Sequence, residues 1–111
     1  MATDASKFTI HFPDWFDERA EWETEAKGWL QGVTVELADG ARYAVFFYDP
    51  VRLSQDLEGE TSAGRPYAAE PGMIVLPQVT RAAINEAVRQ LVEGGFFDHL
   101  RPLPAPRQNV A

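Results

Sequence analysis

The alternation of apolar and polar positions is clearest between residues 32 and 58, where it predicts a β-hairpin that leads into a helix. Residues 33–37 place apolar side chains at every second position, as a strand with one buried face does. Asp39-Gly40 predicts a two-residue type I′ turn, which needs positive φ at both central residues. The chain then returns as a second strand over residues 43–48.

Two further strands and a short helix are predicted by the same reasoning. Residues 7–12 alternate as a strand, and the wholly apolar run 73–76 suits an interior strand. Asp49 and Pro50 should end the hairpin, because proline fits the first position of a helix behind an aspartate cap. Residues 51–57 then have one apolar side, which indicates a short helix or turn.

The strongest helix prediction covers residues 80–93. From Ile84 onwards, apolar residues recur at the i, i+3, i+4, i+7 and i+8 positions of a core-facing helix. Thr80 is the predicted N-cap, and Gly94-Gly95 ends the helix. The aromatic residues that follow, Phe96 and Phe97, are expected to fold back onto the core.

The segment from Trp15 to Trp29 is ambiguous. Its three tryptophans are seven residues apart, so on a helix they would share one face. We predict a short helix over residues 14–20 with Asp14 as its N-cap, and Gly28 as a possible C-terminal stop. Residues 21–29 fit a helix or a half-exposed strand, because glutamates alternate with less polar residues there.

Together these elements predict an α+β fold. It contains a mostly antiparallel sheet of about four strands, with the helix at 80–93 packed on one face and one or two short helices. We expect residues 1–100 to form a single domain that begins with a loose tail at 1–6. A loop at 59–72 and a proline-rich, extended or disordered tail at 101–111 complete the prediction.

Composition narrows the class of protein. A chain of 111 residues with 45% hydrophobic residues is long enough for one globular core. No apolar window is long enough to cross a membrane, and the N-terminus lacks the pattern of a secretory signal. The chain contains no cysteine, so disulfides and thiolate metal sites are excluded. We therefore expect a cytoplasmic protein with no membrane partner.

The net charge of −7 is unevenly distributed. Residues 1–60 contain 13 Asp and Glu against 5 Lys and Arg, a balance of −8, whereas residues 61–111 contain 4 against 5, a balance of +1. Nucleic-acid binding is not expected, because it depends on Lys and Arg displacing counterions from phosphates. The acidic half would attract a basic protein partner. The alternative is that the charge serves solubility alone.

Sequence motifs for catalysis and for metals are missing. The chain has no GxSxG, GxxxxGK[ST], GxGxxG or HExxH motif. His11 and His99 are far apart, and without cysteine they do not make an ordinary zinc site. The carboxylates lack the spacing of a calcium loop. We therefore predict a protein that is not an enzyme, with no catalytic residue, no metal and no cofactor.

Two groups of residues are candidates for binding. The first is an acidic, tryptophan-bearing surface formed by Trp15, Asp17, Glu21, Trp22 and Glu25. Tryptophan is enriched in interface hot spots, because its large rigid ring gains contact area at low entropic cost. The alternatives are a core role for the tryptophans and a solvated face for the carboxylates.

The second group lies after the hairpin. Tyr48, Asp49 and Arg52 should meet where the strand turns into the helix, and Arg65 with Tyr67 would supply contacts from the long loop. A purely structural explanation competes with this one. In that explanation Asp49 caps the helix and Arg52 pairs with a neighbouring carboxylate.

The hairpin and the last helix resemble a family of small bacterial proteins. The shared patterns are "DG…FYDPVRLxQDLE" in residues 32–58 and "VT…I…AV..L...GFF" in residues 71–100. The resemblance implies a common turn, cap, helix stripe and helix end, and no catalytic residues come with it. In size and acidity the chain is also similar to bacterial toxin-immunity proteins.

The function that these patterns favour is a small binding or regulatory module that acts by protein–protein contact, in an immunity or inhibitor role. One alternative is a small-molecule-binding protein or enzyme with its site at the Tyr48–Asp49–Arg52 corner. Another is a homodimer formed through a sheet edge or a Phe96–Phe97 patch.

Overall fold

The computed structural model describes residues 7–104, which form one mixed four-stranded sheet with three α-helices and a short 3₁₀ helix. The elements in chain order are β1 (Phe8–His11), α1 (Glu18–Lys27), β2 (Trp29–Leu37), β3 (Arg42–Tyr48), α2 (Pro50–Ser62), β4 (Met73–Val75), α3 (Arg81–Glu93) and the 3₁₀ helix (Phe96–His99). The predicted α+β class is confirmed. The predicted tail at 1–6 and most of the one at 101–111 lie outside the described residues.

The strands lie in the order β1-β2-β3-β4. β1 and β3 each pair antiparallel with β2, and β4 pairs parallel with β3. The prediction of an interior strand at 73–76 is wrong, since β4 is an edge strand in which Val75 is 46% exposed. Ile74 and Leu76 are buried and alternate with more exposed residues, but the all-apolar composition hides this period of two.

The hairpin connection differs from the predicted type I′ turn. Gly40 has φ +88°, but within the described residues no non-glycine residue has positive φ, so Asp39 does not meet the type I′ requirement. The Gly40 N–H donates to the Leu37 carbonyl, and the Leu37 N–H donates to the Ala41 carbonyl, each at 2.9 Å. This is a three-residue loop, a tight turn followed by a left-handed glycine. The Asp39 side chain accepts from the Ala41 N–H at 2.9 Å, which favours this loop.

The core lies between one face of the sheet and α3. Its fully buried side chains come from β2, β3, α3, the 3₁₀ helix and the segment just before α3. The largest are Phe47, Phe97, Leu30, Ile84, Val33, Val35, Val45, Val79 and Val88. Phe97 packs against Tyr43, with ring centroids 5.3 Å apart. The prediction that the aromatic residues after α3 fold back is confirmed.

The prediction of α3 is confirmed at both ends. Thr80 is the N-cap, and its hydroxyl accepts a hydrogen bond from the Ala83 N–H at 3.1 Å. Gly94 follows the last helical residue, Glu93. Ile84 and Val88 are buried on the face that meets the sheet, as the apolar stripe predicted.

The prediction of a helix over 14–20 is wrong in its bounds. A turn comes first, in which the Phe16 N–H donates to the Pro13 carbonyl at 2.9 Å and the Phe16 side chain is buried. Asp17 then caps α1 by accepting from the Ala20 N–H at 2.8 Å, the role predicted for Asp14. The helix includes most of the ambiguous segment and ends at Gly28, which has φ +82°.

The second helix is longer than predicted, and the loop after it is shorter. Asp49 is the N-cap of α2 and Pro50 its first residue, as expected. The helix continues to Ser62, so the loop predicted at 59–72 begins only at residue 63. Gly59 lies inside the helix, where its flexibility is unfavourable but not prohibitive. No residue of α2 is fully buried, so the helix rests on the sheet without entering the core.

Beyond the 3₁₀ helix, residues 101–104 continue without regular structure. The Leu103 N–H donates to the Arg42 carbonyl at the start of β3, at 2.7 Å. Among the described residues, no helix combines the length and the apolar character needed to cross a bilayer.

Candidate functional site

The outer side of α1 carries the most exposed tryptophan of the protein. Trp22 is 73% exposed, and within residues 7–104 its ring makes no aromatic or cation–π contact. Glu18 and Glu25 lie one turn on either side of it, at i−4 and i+3. Both carboxylates are exposed and have neither a hydrogen bond nor an ion pair among the described residues. These three residues form what we name the α1 face.

Two of the predicted acidic site residues, Asp17 and Glu21, have structural partners. Asp17 caps α1. Glu21 accepts a hydrogen bond from the Arg81 N–H at 2.9 Å and pairs with the Arg81 guanidinium at 3.5 Å. It thereby occupies a backbone donor at the N-terminus of α3, where a negative charge is favourable. The acidic segment therefore divides into structural and free carboxylates.

The three tryptophans do not share a helix face, as their spacing suggested. Trp15 precedes α1, is 60% exposed and packs edge-on against Phe16 at 6.0 Å. Trp29 is the first residue of β2, with the Arg52 guanidinium 5.3 Å above its ring. Trp15 and Trp29 line one shallow depression of about 340 Å³ beside α1. The helical spacing fails because Gly28 ends the helix before Trp29.

The predicted corner forms, and each of its polar groups has a partner. Asp49 Oδ1 accepts from the Arg52 N–H at 2.8 Å, the N-cap bond of α2. Arg52 Nε lies 3.1 Å from Asp56 Oδ1, one helical turn onward. The corner therefore brings together Tyr48, Asp49 and Arg52. Asp49 caps the helix and Arg52 pairs with a neighbouring carboxylate, as the purely structural alternative predicted.

The two predicted loop residues have different environments. Arg65 donates to both carboxylate oxygens of Glu60, at 2.9 and 3.2 Å. This bidentate contact ties the start of the loop to the last turns of α2. It also lowers the pKa of Glu60, through the hydrogen bond first and the charge of Arg65 second. Tyr67 is 57% exposed.

A cleft of about 380 Å³ opens beside this corner, between α2 and the outer face of the sheet. We name it the α2 cleft. Its chemically distinctive lining residues are Phe46, Tyr48 and Met73 from the sheet, Asp56 and Glu60 from α2, and Glu70 from the loop. Of the predicted site residues, only Tyr48 lines this cleft.

The environment of the α2 cleft changes the pKa of Tyr48. Its pKa is raised by burial first, then by a hydrogen bond to Asp56 and by the negative charges of Asp56 and Glu70. Arg52 acts in the opposite direction and does not cancel these effects. The phenol therefore stays protonated at neutral pH and contributes a neutral aromatic ring.

Glu60 was missed because α2 was predicted to end at residue 57, and Asp56, inside the predicted helix, was not considered as a site residue. Asp56 and Glu60 follow Leu53 at i+3 and i+7, so a full-length helix would have placed all three on the side facing the sheet. Glu70 lies in the loop, and no local pattern in the sequence indicates where it points.

Metal binding has no support among the described residues, in which no group of three or more His, Asp and Glu side chains could hold an ion. His11 Nε2 lies 2.8 Å from Glu36 Oε1, on neighbouring strands of the sheet.

No protein-family model, no curated protein and no solved structure matches the chain. The resemblance to the family of small bacterial proteins therefore stays a prediction, and the function has to be argued from the geometry alone.

Proposed function

We propose that this protein is a cytoplasmic recognition module that binds a basic protein partner through the α1 face. The observation that carries the proposal is the exposure of Trp22 in the middle of a well-capped helix. A partner that covers an exposed tryptophan removes a large apolar ring from water. Tryptophan is also the side chain most enriched in interface hot spots.

The charge beside Trp22 supports a basic partner. Glu18 and Glu25 are free of pairing among the described residues, so a partner's Lys or Arg would not have to displace an existing bond. The first half of the chain also carries the negative charge of the whole protein. Attraction of this kind raises the association rate and weakens as salt is added.

An inhibitor or immunity role is the narrower form of this proposal. In such a role the acidic face would cover a basic surface on the protein that it inhibits. The absence of cysteine is the support for a cytoplasmic setting.

The experiment is capture of the partner from a native lysate by the immobilised full-length chain, followed by titration of the purified partner. We expect binding at low salt that weakens at high salt. Trp22→Ala should weaken binding by about 30-fold, the loss of about 2 kcal/mol that defines a hot spot. The double variant Glu18→Gln with Glu25→Gln should mainly reduce the association rate.

The matched control is Val51→Ala, which removes an exposed apolar side chain from α2 and leaves the α1 face intact. It should bind as the wild-type chain does. Alanine is favourable in exposed helix positions, so neither substitution should unfold the protein. Unchanged binding by Trp22→Ala, or no captured partner at either salt concentration, would refute the proposal.

The α2 cleft favours a second candidate function, small-molecule binding beside the predicted corner. A cleft of about 380 Å³ falls within the range of ligand pockets.

Homodimerisation, the third function suggested by the sequence, was predicted to use a sheet edge or a Phe96–Phe97 patch. The second of these surfaces is not available. Phe97 is buried in the core and Phe96 is half-buried, so they do not form an exposed patch. Dimerisation through a sheet edge stays a prediction, and light scattering at high protein concentration tests it.

A further inference from the structure

The walls of the α2 cleft include two aromatic rings at right angles. Phe46 and Tyr48 are two residues apart on β3, so both side chains lie on the outer face of the sheet. Their ring centroids are 5.7 Å apart and their planes meet at 85°. Both residues line the cleft, and the negative face of an aromatic ring attracts cations.

The charged groups that line the α2 cleft are all acidic. Asp56 and Glu60 are partly neutralised by Arg52 and Arg65. The Glu70 carboxylate has neither a hydrogen bond nor an ion pair among residues 7–104. No Lys or Arg is among the described residues that line the cleft, so its net field is negative.

These features discriminate between classes of ligand. An anion would be repelled by the unpaired Glu70 carboxylate, and a neutral apolar molecule would remove water from the carboxylates without compensation. A metal ion needs convergent oxygens, and no such group exists among the described residues. An organic cation can make a cation–π contact with the aromatic rings and an ion pair with the free carboxylate of Glu70.

We propose that the α2 cleft binds a small alkylated ammonium ion, with its charged group against Phe46 and Tyr48 and within the field of Glu70. This site is separate from the α1 face and does not depend on the protein-binding role. Met73, which also lines the cleft, adds a polarizable surface for the alkyl groups.

The probe for this proposal is choline, and its matched control is 3,3-dimethylbutan-1-ol, which has the same shape without the charge. Each is titrated into the isotopically labelled full-length chain at low ionic strength, and amide shifts are followed by NMR. We expect saturable shifts around residues 46–48 and 68–73 with choline. The neutral analogue should bind about 10-fold more weakly, the scale of a partly desolvated cation–π contact.

Two variants separate the charge from the rings. Glu70→Gln lies on an exposed loop and should weaken choline binding several-fold while leaving the spectrum of the fold unchanged. Phe46→Leu keeps an apolar side chain and should reduce the preference for choline over the neutral analogue. Glu58→Gln, on α2 but outside the cleft, is the control and should bind choline as the wild-type chain does.

Three outcomes would overturn the proposal. They are the absence of saturable shifts with choline, equal affinity for choline and its neutral analogue, and equal effects of Glu70→Gln and Glu58→Gln. None of these results bears on partner capture through Trp22, so the two proposals fail or stand separately.

Discussion

At the scale of single residues, Gly28 meets two structural demands at once. Its φ of +82° ends α1, and its carbonyl accepts from the Asp49 N–H at 2.8 Å. The Asp49 carboxylate also fills the space beside it, so a Cβ at Gly28 would lie 2.5 Å from Asp49 Oδ2. The end of α1 and the N-cap of α2 can therefore lie in contact only because residue 28 has no side chain.

We expect Gly28→Ala to lower the free energy of unfolding by about 2–3 kcal/mol. A left-handed alanine costs about 1–2 kcal/mol, and displacement of the Asp49 cap from α2 costs about 1 kcal/mol more. Urea denaturation followed by circular dichroism measures the change.

The matched substitution is Gly59→Ala inside α2. A Cβ there meets no heavy atom within 4 Å, and the residue does not have positive φ. It should raise the free energy of unfolding by about 0.5–1 kcal/mol, because glycine is the worse helix former. Similar destabilisation by both substitutions would contradict the argument for Gly28.

Residue roles were predictable where the partner is near in the chain. Asp49 and Thr80 were identified as caps, because a cap and the backbone N–H that donates to it are three residues apart. The contact between Gly28 and Asp49 joins two elements, and no local pattern records it. Asp17 was missed as a cap because Asp14 precedes a similar acidic stretch, and burial of Phe16 decides between them.

At the scale of elements, the two longest helices differ in how they are held. α3 buries Ile84 and Val88 against the sheet, whereas α2 buries no residue fully. The apolar stripe predicted α3 almost to the residue because that stripe is what the core needs. The same criterion predicted too early an end for α2, because the apolar stripe stops before the helix does. The last turns of α2 carry polar residues that line the α2 cleft and do not fill a core.

The exposed side of α3 carries a carboxylate, Glu86, that should make the stability of the protein depend on pH. Hydrogen bonds from Arg89 first, and from Gln90 second, lower the pKa of Glu86 from its ordinary value of 4.5 to about 2. A carboxylate with a lowered pKa stabilises the folded protein above pH 4.5 and loses this effect as pH falls towards 2. Glu86→Gln should therefore lower the melting temperature slightly at pH 7, and the difference should close between pH 4.5 and 2.

Glu58→Gln is the control for this measurement, because the Glu58 carboxylate has neither a hydrogen bond nor an ion pair among the described residues. Its melting temperature should follow that of the wild-type chain at each pH. Since Glu86 is exposed, added salt should shrink the effect. A pH-independent difference between Glu86→Gln and the wild-type chain would show that the ion pair is not its cause.

At the scale of the whole molecule, the acidic N-terminal part is tied to α3 by one arginine. Arg81 donates to the Phe16 carbonyl at 3.0 Å and pairs with Glu21 at 3.5 Å. Its guanidinium also lies 4.4 and 4.7 Å from the ring centroids of Phe12 and Phe16. Charge counting predicted an acidic half and a nearly neutral half, but not the residue that joins them, because this contact spans most of the chain.

We expect Arg81→Met to lower the free energy of unfolding by about 1.5–3 kcal/mol, the usual range for a hydrogen bond that involves a charged group. Methionine keeps the packing against the aromatic rings, so the loss reports on charge. A double-mutant cycle with Glu21→Gln should give a coupling energy of about 0.5–1 kcal/mol at low salt, because both groups are partly exposed.

The control cycle uses the pair Arg19 and Glu23, which lies on the surface of α1 at 3.7 Å. Its coupling should not exceed about 0.5 kcal/mol, the value for an exposed pair one helical turn apart. If the two cycles give the same coupling, Arg81 contributes only a surface ion pair, and the acidic part of the chain must be held to α3 by Phe16 and the core alone. A larger coupling at Arg81 means that its pair with Glu21 helps to hold the acidic segment against α3, so substitutions on the α1 face should be chosen to leave Glu21 intact.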